Sequence, residues 1–263
     1  MSQYTIEAGT AQHLGDQLKQ HDCVAIFAAP KAPGYMMAVL ADGAGFGATG
    51  ASTGEQVVRT AKQNFDGFSP LTETVEELLQ TISKEAHTLL HLNALATRKE
   101  PYSTMVMLVI TPEKQAIWAH LGDSRLYRFV GQAFQERTND DAHIEKAIEA
   151  IRSAGRKGPQ AVVEMLGNDR HTSFLSIGRH DELKAEDAFL LCSDGLWAYC
   201  SDEEMATAVA LNSPRRAAEI LIQLARTRGA GKDAGNCSMA IVRLLPVVAK
   251  SRSHASRPLN SMI

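Results

Sequence analysis

Residues 104–130, TMVMLVITPEKQAIWAHLGDSRLYRFV, decide the fold. Thr104 to Thr111 and Gln115 to Leu121 are apolar runs of strand length joined through Pro112-Glu113, and a third run, Leu126 to Val130, follows Gly122-Asp123-Ser124-Arg125 and ends at Gly131-Gln132. Such tight connections make antiparallel hairpins, because parallel neighbours need a crossover of about a dozen residues or more. Similar runs occur at Cys23 to Ala28, Tyr35 to Ala41, Ser173 to Ile177, Ala188 to Cys192 and Cys237 to Leu245. Val75, Leu78, Leu79, Ile82, Ala86, Leu89 and Leu90 recur at helical spacing and predict a long amphipathic helix from Thr72 to Leu95; Pro214 opens another, which Gly229 stops. Helices fall in pairs between groups of strands and not after every strand. This order predicts an α+β fold with mainly antiparallel sheets at the centre and helices outside, not a doubly wound parallel sheet.

At 263 residues the chain can bury a substantial core, and 44% hydrophobic with 22% charged residues is ordinary globular composition. Lys and Arg number 27 against 30 Asp and Glu, a formal charge of -3, which predicts neither nucleic acid nor an anionic membrane as partner. No run approaches a membrane span, and the start Met1-Ser2-Gln3-Tyr4 lacks a signal-peptide pattern, so the expected compartment is the cytoplasm and the expected state a monomer. Cys23, Cys192, Cys200 and Cys237 have no C-x-x-C spacing and read as buried thiols. Residues 1–248 read as one domain. The basic stretch 249–263 reads as a disordered tail, and Asp140 to Pro159 as a charged surface excursion.

Three of the runs end on an aspartate in a short turn: Asp42 in Ala41-Asp42-Gly43, Asp123 in Gly122-Asp123-Ser124, and Asp194 in Ser193-Asp194-Gly195. One Asp-Gly is ordinary turn chemistry. Three carboxylates at strand ends point to a hard-metal cluster, since Mg²⁺ and Mn²⁺ prefer carboxylate, carbonyl and water oxygens, and a glycine lets the following carbonyl turn toward an ion.

In chain order, Gly15-Asp16-Gln17-Leu18-Lys19-Gln20-His21-Asp22, Val39 to Gly45, Ser103-Thr104-Met105, Gly122 to Tyr127, Leu191 to Trp197 and Gly235-Asn236-Cys237-Ser238 resemble the motifs of the metal-dependent serine/threonine protein phosphatases, the protein phosphatase 2C-like family of bacterial type. The resemblance implies a four-layer α-β-β-α sandwich with two, or three, Mn²⁺ or Mg²⁺ ions at one end, and attack of a metal-activated water on phosphoserine or phosphothreonine of a protein without a phosphoenzyme. It implies Asp42 as the carboxylate bridging two ions with the Gly43 carbonyl beside it, Asp194 as a ligand of the first ion, Asp22 near the second, and Asp123 for a third. The implied partners are a phosphorylated protein and an opposing serine/threonine kinase.

The chain also departs from that pattern. Gly235 stands where the family has an aspartate completing the first metal site, and Asp233, two residues earlier on the same face of an extended segment, is the candidate replacement. Gln17 stands where an arginine usually clamps the substrate phosphate, with Lys19 as a candidate substitute; a neutral amide gives up a charged, bidentate contact. Phe46 and Asp141 replace a usual glycine and histidine. His21, beside Asp22, is the candidate proton donor to the leaving oxygen, or a histidine that only hydrogen-bonds at a strand start. Gly235 and Gln17 also leave open a catalytically weak or inactive module that binds phosphoproteins. A hydrolase of another phosphate ester stays open too.

Overall fold

A computed structural model describes residues 4–44, 51–97, 101–139, 166, 175–232 and 234–247. Its elements, in chain order, are β1 (Tyr4–His13), β2 (Cys23–Ala28), β3 (Met36–Ala41), β4 (Gly43–Ala44), α1 (Thr53–Gly67), α2 (Val75–Thr97), β5 (Tyr102–Ser103), β6 (Met105–Ile110), β7 (Ala116–Leu121), β8 (Arg125–Val130), β9 (Ala133–Arg137), β10 (Ser176–His180), β11 (Asp187–Cys192), α3 (Asp194–Trp197), α4 (Asp202–Leu211), α5 (Pro214–Gly229) and β12 (Cys237–Pro246).

Two five-stranded antiparallel sheets form the centre, in the orders β1-β12-β11-β8-β9 and β10-β7-β6-β3-β2. The pleat explains why β3, β6, β7 and β11 read as continuous apolar runs: both of their faces are covered. Ala38 and Leu40 of β3, with Val106 and Leu108 of β6, face inward onto Phe189, Leu191, Ala240 and Val242 of the other sheet. Met37 and Val39, with Met105 and Met107, face outward onto Val57, Phe65, Leu79 and Ile82 of α1 and α2. On the opposite side, Leu190, Cys192 and Met239 meet Met205, Val209, Ala217 and Leu221 of α4 and α5. Three apolar seams between four layers are the expected α-β-β-α sandwich. Each fully buried Leu, Ile or Phe in them contributes roughly 1.5 to 3 kcal/mol.

The hairpins expected at Pro112-Glu113 and Gly131-Gln132 join β6 to β7 and β8 to β9. Cys192, Cys200 and Cys237 are buried free thiols, and Cys23 is half-buried. Among the described residues no helix is long and apolar enough to cross a membrane. The 140–159 excursion, residues 173 and 174 of the run from Ser173, Asp141, Phe46, Asp233 and the 249–263 tail lie outside the described residues, and the rest of that run enters β10.

Strand register sets the place of the aspartates. Cys23 pairs with Ala41, so Asp22 and Asp42 leave the β2–β3 ladder side by side. Met105 pairs with Leu121, which puts the Asp123 turn at that same end, and Arg125 pairs with Cys192, which brings the turn to Asp194. His13 pairs with Cys237, so the segment from Leu14 to Asp22 crosses that end from one sheet to the other.

Candidate metal centre

Asp42 is held by its backbone. Its N–H donates to Thr104 Oγ1 (3.0 Å), and its carbonyl accepts from the Thr104 N–H (2.8 Å) and from Ser103 Oγ (3.0 Å). Thr104 Oγ1 lies 2.6 Å from Ser124 Oγ, which ties the Asp42 turn to the Asp123 turn. With both main-chain groups satisfied elsewhere, the Asp42 side chain is left to face the centre. Gly43 is there for space: a Cβ at this position would collide with Thr53 Oγ1 and stand 2.8 Å from the His21 carbonyl oxygen. The glycine after Asp42 thus serves a close approach of α1 and the segment at His21 that leads into β2. That is a tighter requirement than turning a carbonyl.

The Asp22 side of the centre is wired through Asn236. Asn236 Oδ1 accepts from the His21 N–H (2.7 Å), while its Nδ2 donates to the carbonyls of Leu14 (2.9 Å) and Lys19 (3.1 Å). Gln12 Nε2 donates to the Asp22 carbonyl (3.1 Å). Asp22 itself is 4% exposed, yet among the described residues neither of its carboxylate oxygens meets a donor in good hydrogen-bond geometry. The Ser193 and Ser238 hydroxyls are beside it and moderate the rise that burial imposes on its pKa. Ser193, however, is committed to the Asn236 carbonyl and the Ser238 amide (3.3 and 3.0 Å). A buried carboxylate with two bare oxygens is costly unless a cation or a proton joins it.

Electrostatics shows how close the four acids come. Burial first, then the charges of Asp22, Asp194 and Asp123, drive the Asp42 pKa well above the carboxylate range. Asp194 is pushed up to about 7, by burial and then by Asp123 and Asp22. Like charges raise one another's pKa only at short range. The acids expected at strand ends therefore share one small region at one end of the sandwich. Among the described residues, no three acidic, imidazole or thiol side chains already form a cage around a point. The donor set still fits a hard divalent cation: carboxylates only, mutually repelling, with Asp22 buried and the other three half-buried.

The remaining sequence candidates are placed as follows. Gln17 and Lys19 are exposed on the turn before Asp22, and the imidazole of His21 is half-buried at the edge of the centre. Gly235 is at the floor, where a Cβ would stand 3.6 Å from Asp194 Oδ1. Position 235 thus faces Asp194.

Sequence reasoning missed several supports. From sequence alone, Ser124 and Ser193 are turn residues, and Trp197 is a residue that packs the core or borders the cleft. Trp197 Nε1 in fact donates to the Asp123 carbonyl (2.9 Å), and the Arg125 guanidinium stacks 3.6 Å above the indole. Arg125 also donates to the Tyr127 hydroxyl (3.3 Å). The signal was available in retrospect, because Trp197 lies one helical turn after Asp194.

The family model for protein phosphatase 2C matches residues 9–230. The chain belongs to that family. It is 26% identical over 203 residues to the serine/threonine protein phosphatase PstP of Mycobacterium tuberculosis, covering 76% of this chain and 39% of PstP, so the chain spans well under half of that relative's length. It is 26% identical over 230 residues to the protein phosphatase PhpP of Streptococcus pneumoniae, covering 80% of this chain and 87% of PhpP. Among solved structures, PppA of Pseudomonas aeruginosa superposes with a TM-score of 0.72 at 26% identity, over 91% of this chain and 98% of PppA. The PstP catalytic domain in complex with 2 manganese ions superposes with a TM-score of 0.71 at 19% identity, over 92% and 99%. The two solved structures share the fold of this chain.

Proposed function

We propose that this chain is a protein phosphatase that hydrolyses phosphoserine and phosphothreonine in proteins, using Mn²⁺ or Mg²⁺ held by Asp22, Asp42, the Gly43 carbonyl and Asp194, with Asp123 serving a further ion and Asp233 as an additional ligand. The observation that carries this reading is the convergence of four carboxylates, one of them buried with both oxygens bare. When bound, the ions supply positive charge that makes water a nucleophile near neutral pH and offsets charge on the phosphoryl oxygens.

The chain's own residues orient and exclude. Ser103 and Thr104 fix the Asp42 turn, Asn236 fixes the approach to Asp22, and Trp197 holds the Asp123 turn through its carbonyl. His21 takes the role of proton donor to the departing seryl or threonyl oxygen, since imidazole is the side chain that exchanges a proton near neutrality. Gln17 and Lys19 on the exposed turn contact the substrate. The expected setting is a monomeric cytoplasmic signalling enzyme opposing a serine/threonine kinase.

The test is hydrolysis of a phosphothreonine peptide by wild type and by Asp42→Asn, titrated with Mn²⁺. Wild type is expected to turn over with Mn²⁺ and lose activity in EDTA, and the variant to lose at least about a hundredfold, more than the removal of an outer-sphere partner costs. Equal rates for the two proteins at millimolar Mn²⁺ would remove the enzyme reading and leave a phosphoprotein-binding module.

A further inference from the structure

A cleft of about 370 Å³ opens directly beside the carboxylate centre. One wall is the turn at Asp16, the other is α5, and the floor is the backbone of Gly195 and Gly235. The floor is thin. Gly195 follows Asp194 in the chain, and a Cβ on Gly235 would lie 3.6 Å from Asp194 Oδ1. Because position 235 carries no side chain, nothing there separates the cleft from Asp194.

The helical wall presents Gln223, Arg226 and Thr227, which fall on one face of α5 by their spacing. Arg226 differs from its neighbours on this helix. Arg215 and Arg216 pair with Glu219, and Arg228 pairs with Glu204, whereas Arg226 is exposed and forms no ion pair among the described residues. Its charge is felt at His13, whose pKa is lowered by burial first and by Arg226 second. The facing acid, Asp16, is already engaged: its Oδ2 accepts from the Ala234 N–H (3.1 Å), and its own N–H donates to the Ala234 carbonyl (2.9 Å). These two bonds make the Asp16 wall rigid. Among the described residues, the helical wall of the cleft offers a guanidinium with a neutral amide and a hydroxyl beside it, opposite the Asp16 carboxylate that Ala234 holds in place, next to the site where a phosphoresidue would react.

We propose that this cleft is a specificity subsite for an acidic side chain flanking the phosphoserine or phosphothreonine of the substrate, with Arg226 as its cation. The proposal rests on the phosphatase reading for the identity of the substrate. A peptide whose phosphate enters the carboxylate centre has its neighbouring residues within reach of the adjoining floor, and a carboxylate there meets Arg226 in a partly enclosed setting where a charge-assisted hydrogen bond is stronger than on an open surface. Arg226 is not a catalytic residue in this account. It selects which phosphoproteins dock well.

The experiment compares two labelled phosphothreonine peptides, one with Asp and Glu beside the phosphoresidue and one with Ala at the same positions. Binding is read by fluorescence anisotropy on the Asp42→Asn background, and KM by hydrolysis with the otherwise native protein. Arg226→Ala is expected to weaken the acid-flanked peptide about tenfold, the usual worth of one charged contact, and to leave the Ala-flanked peptide and p-nitrophenyl phosphate unchanged. Gln223→Glu, which puts a negative charge on the same wall, is expected to have the same selective effect and guards against a local defect from losing the arginine. Equal losses on both peptides, or no loss on either, overturn the subsite. If the native protein fails to hydrolyse either peptide, the phosphatase reading falls, while the binding comparison still decides the cleft.

Discussion

Asp194 and Glu204 lie in the first turns of two successive helices, α3 and α4, and the fold drives their carboxyl groups in opposite directions. Asp194 is raised to about 7, by burial and then by Asp123 and Asp22. Glu204 is lowered to about 2, by hydrogen bonds from Arg228 and from the Ser201 backbone. The start of a helix favours an anion in both places. The opposite outcomes come from company. Glu204 closes a capping box with Ser201 and meets Arg228 through paired 2.6 Å contacts, in water; Asp194 is half-buried and faces the acids Asp123 and Asp22. One carboxylate stabilises the fold, and the other is held at a cost that makes sense only as a place for a cation, the usual trade between stability and function.

The largest effect that can break this contrast is Asp194→Asn. Phosphopeptide hydrolysis is expected to fall at least about a hundredfold, and the Mn²⁺-induced rise in melting temperature to shrink or vanish. Stability without metal is expected to move the other way. A carboxyl whose folded pKa is raised contributes stability fully below its unfolded value near 3.9; that contribution is lost as pH climbs toward about 7, and above this the cost of the buried charge is present in full. Asparagine never acquires the charge. In EDTA at pH 8 the variant should therefore melt a few degrees above wild type, with the gap closing as pH falls toward 4. A variant that melts lower than wild type in EDTA at pH 8 would show that no repulsion is stored at Asp194.

Gly235→Asp sharpens the contrast from the other side. Its Cβ would have room, 3.6 Å from Asp194 Oδ1, and Gly235 is not among the glycines at positive φ, so the substitution strains nothing. Another carboxylate in this region is expected to tighten Mn²⁺ by about tenfold in calorimetric titration, and to lower the melting temperature in EDTA by adding one more like charge. Unaltered Mn²⁺ affinity would mean that the ligand position is already supplied, as Asp233 would supply it.

The two regions were not equally legible in the sequence. Sheet interiors announce themselves because β3, β6, β7 and β11 are covered on both faces and so stay apolar almost throughout, with His120 of β7 and Asp187 of β11 as the exceptions. The acids were legible because they interrupt those runs at strand ends. The edge strand β1 alternates polar and small residues, exposes much of its length, and takes its register wholly from β12, so no local pattern marks it. Strand β9 is exposed almost throughout, and α1 buries Thr53, Gly54, Gln56 and Thr60 beside Val57, Val58, Ala61 and Phe65, so half of its buried face is not apolar in sequence. The centre's supports were hidden for a different reason. Asn236 reaches Leu14, Lys19 and His21 from the far end of the chain, and such long-range wiring leaves no spacing to read. By contrast, Ser201-Asp202-Glu203-Glu204 is a local capping signature, readable before any fold is known.

The smallest expected effect tests the satisfied half of the comparison. Glu204→Gln removes the charge that Arg228 and the Ser201 backbone favour, but both partners are substantially exposed, at 36% and 42%, so solvent screening limits the loss to about 1 kcal/mol or less. The sign is opposite to that of Asp194. A carboxyl with a depressed folded pKa contributes stability above its unfolded value near 4.5, and this is lost as pH falls toward about 2. Urea denaturation at pH 7 should show a slightly weaker variant, the difference should fade as pH drops below 4, and added salt should shrink it. Mn²⁺ affinity and the KM for phosphopeptides should not move, since the Glu204 contacts run to Ser201, Tyr199's neighbour Arg228 and α4 itself, away from the acids. A change in Mn²⁺ affinity on Glu204→Gln would mean that the two carboxylates are coupled through α3, and that the fold does not keep its stabilising charges separate from its costly ones.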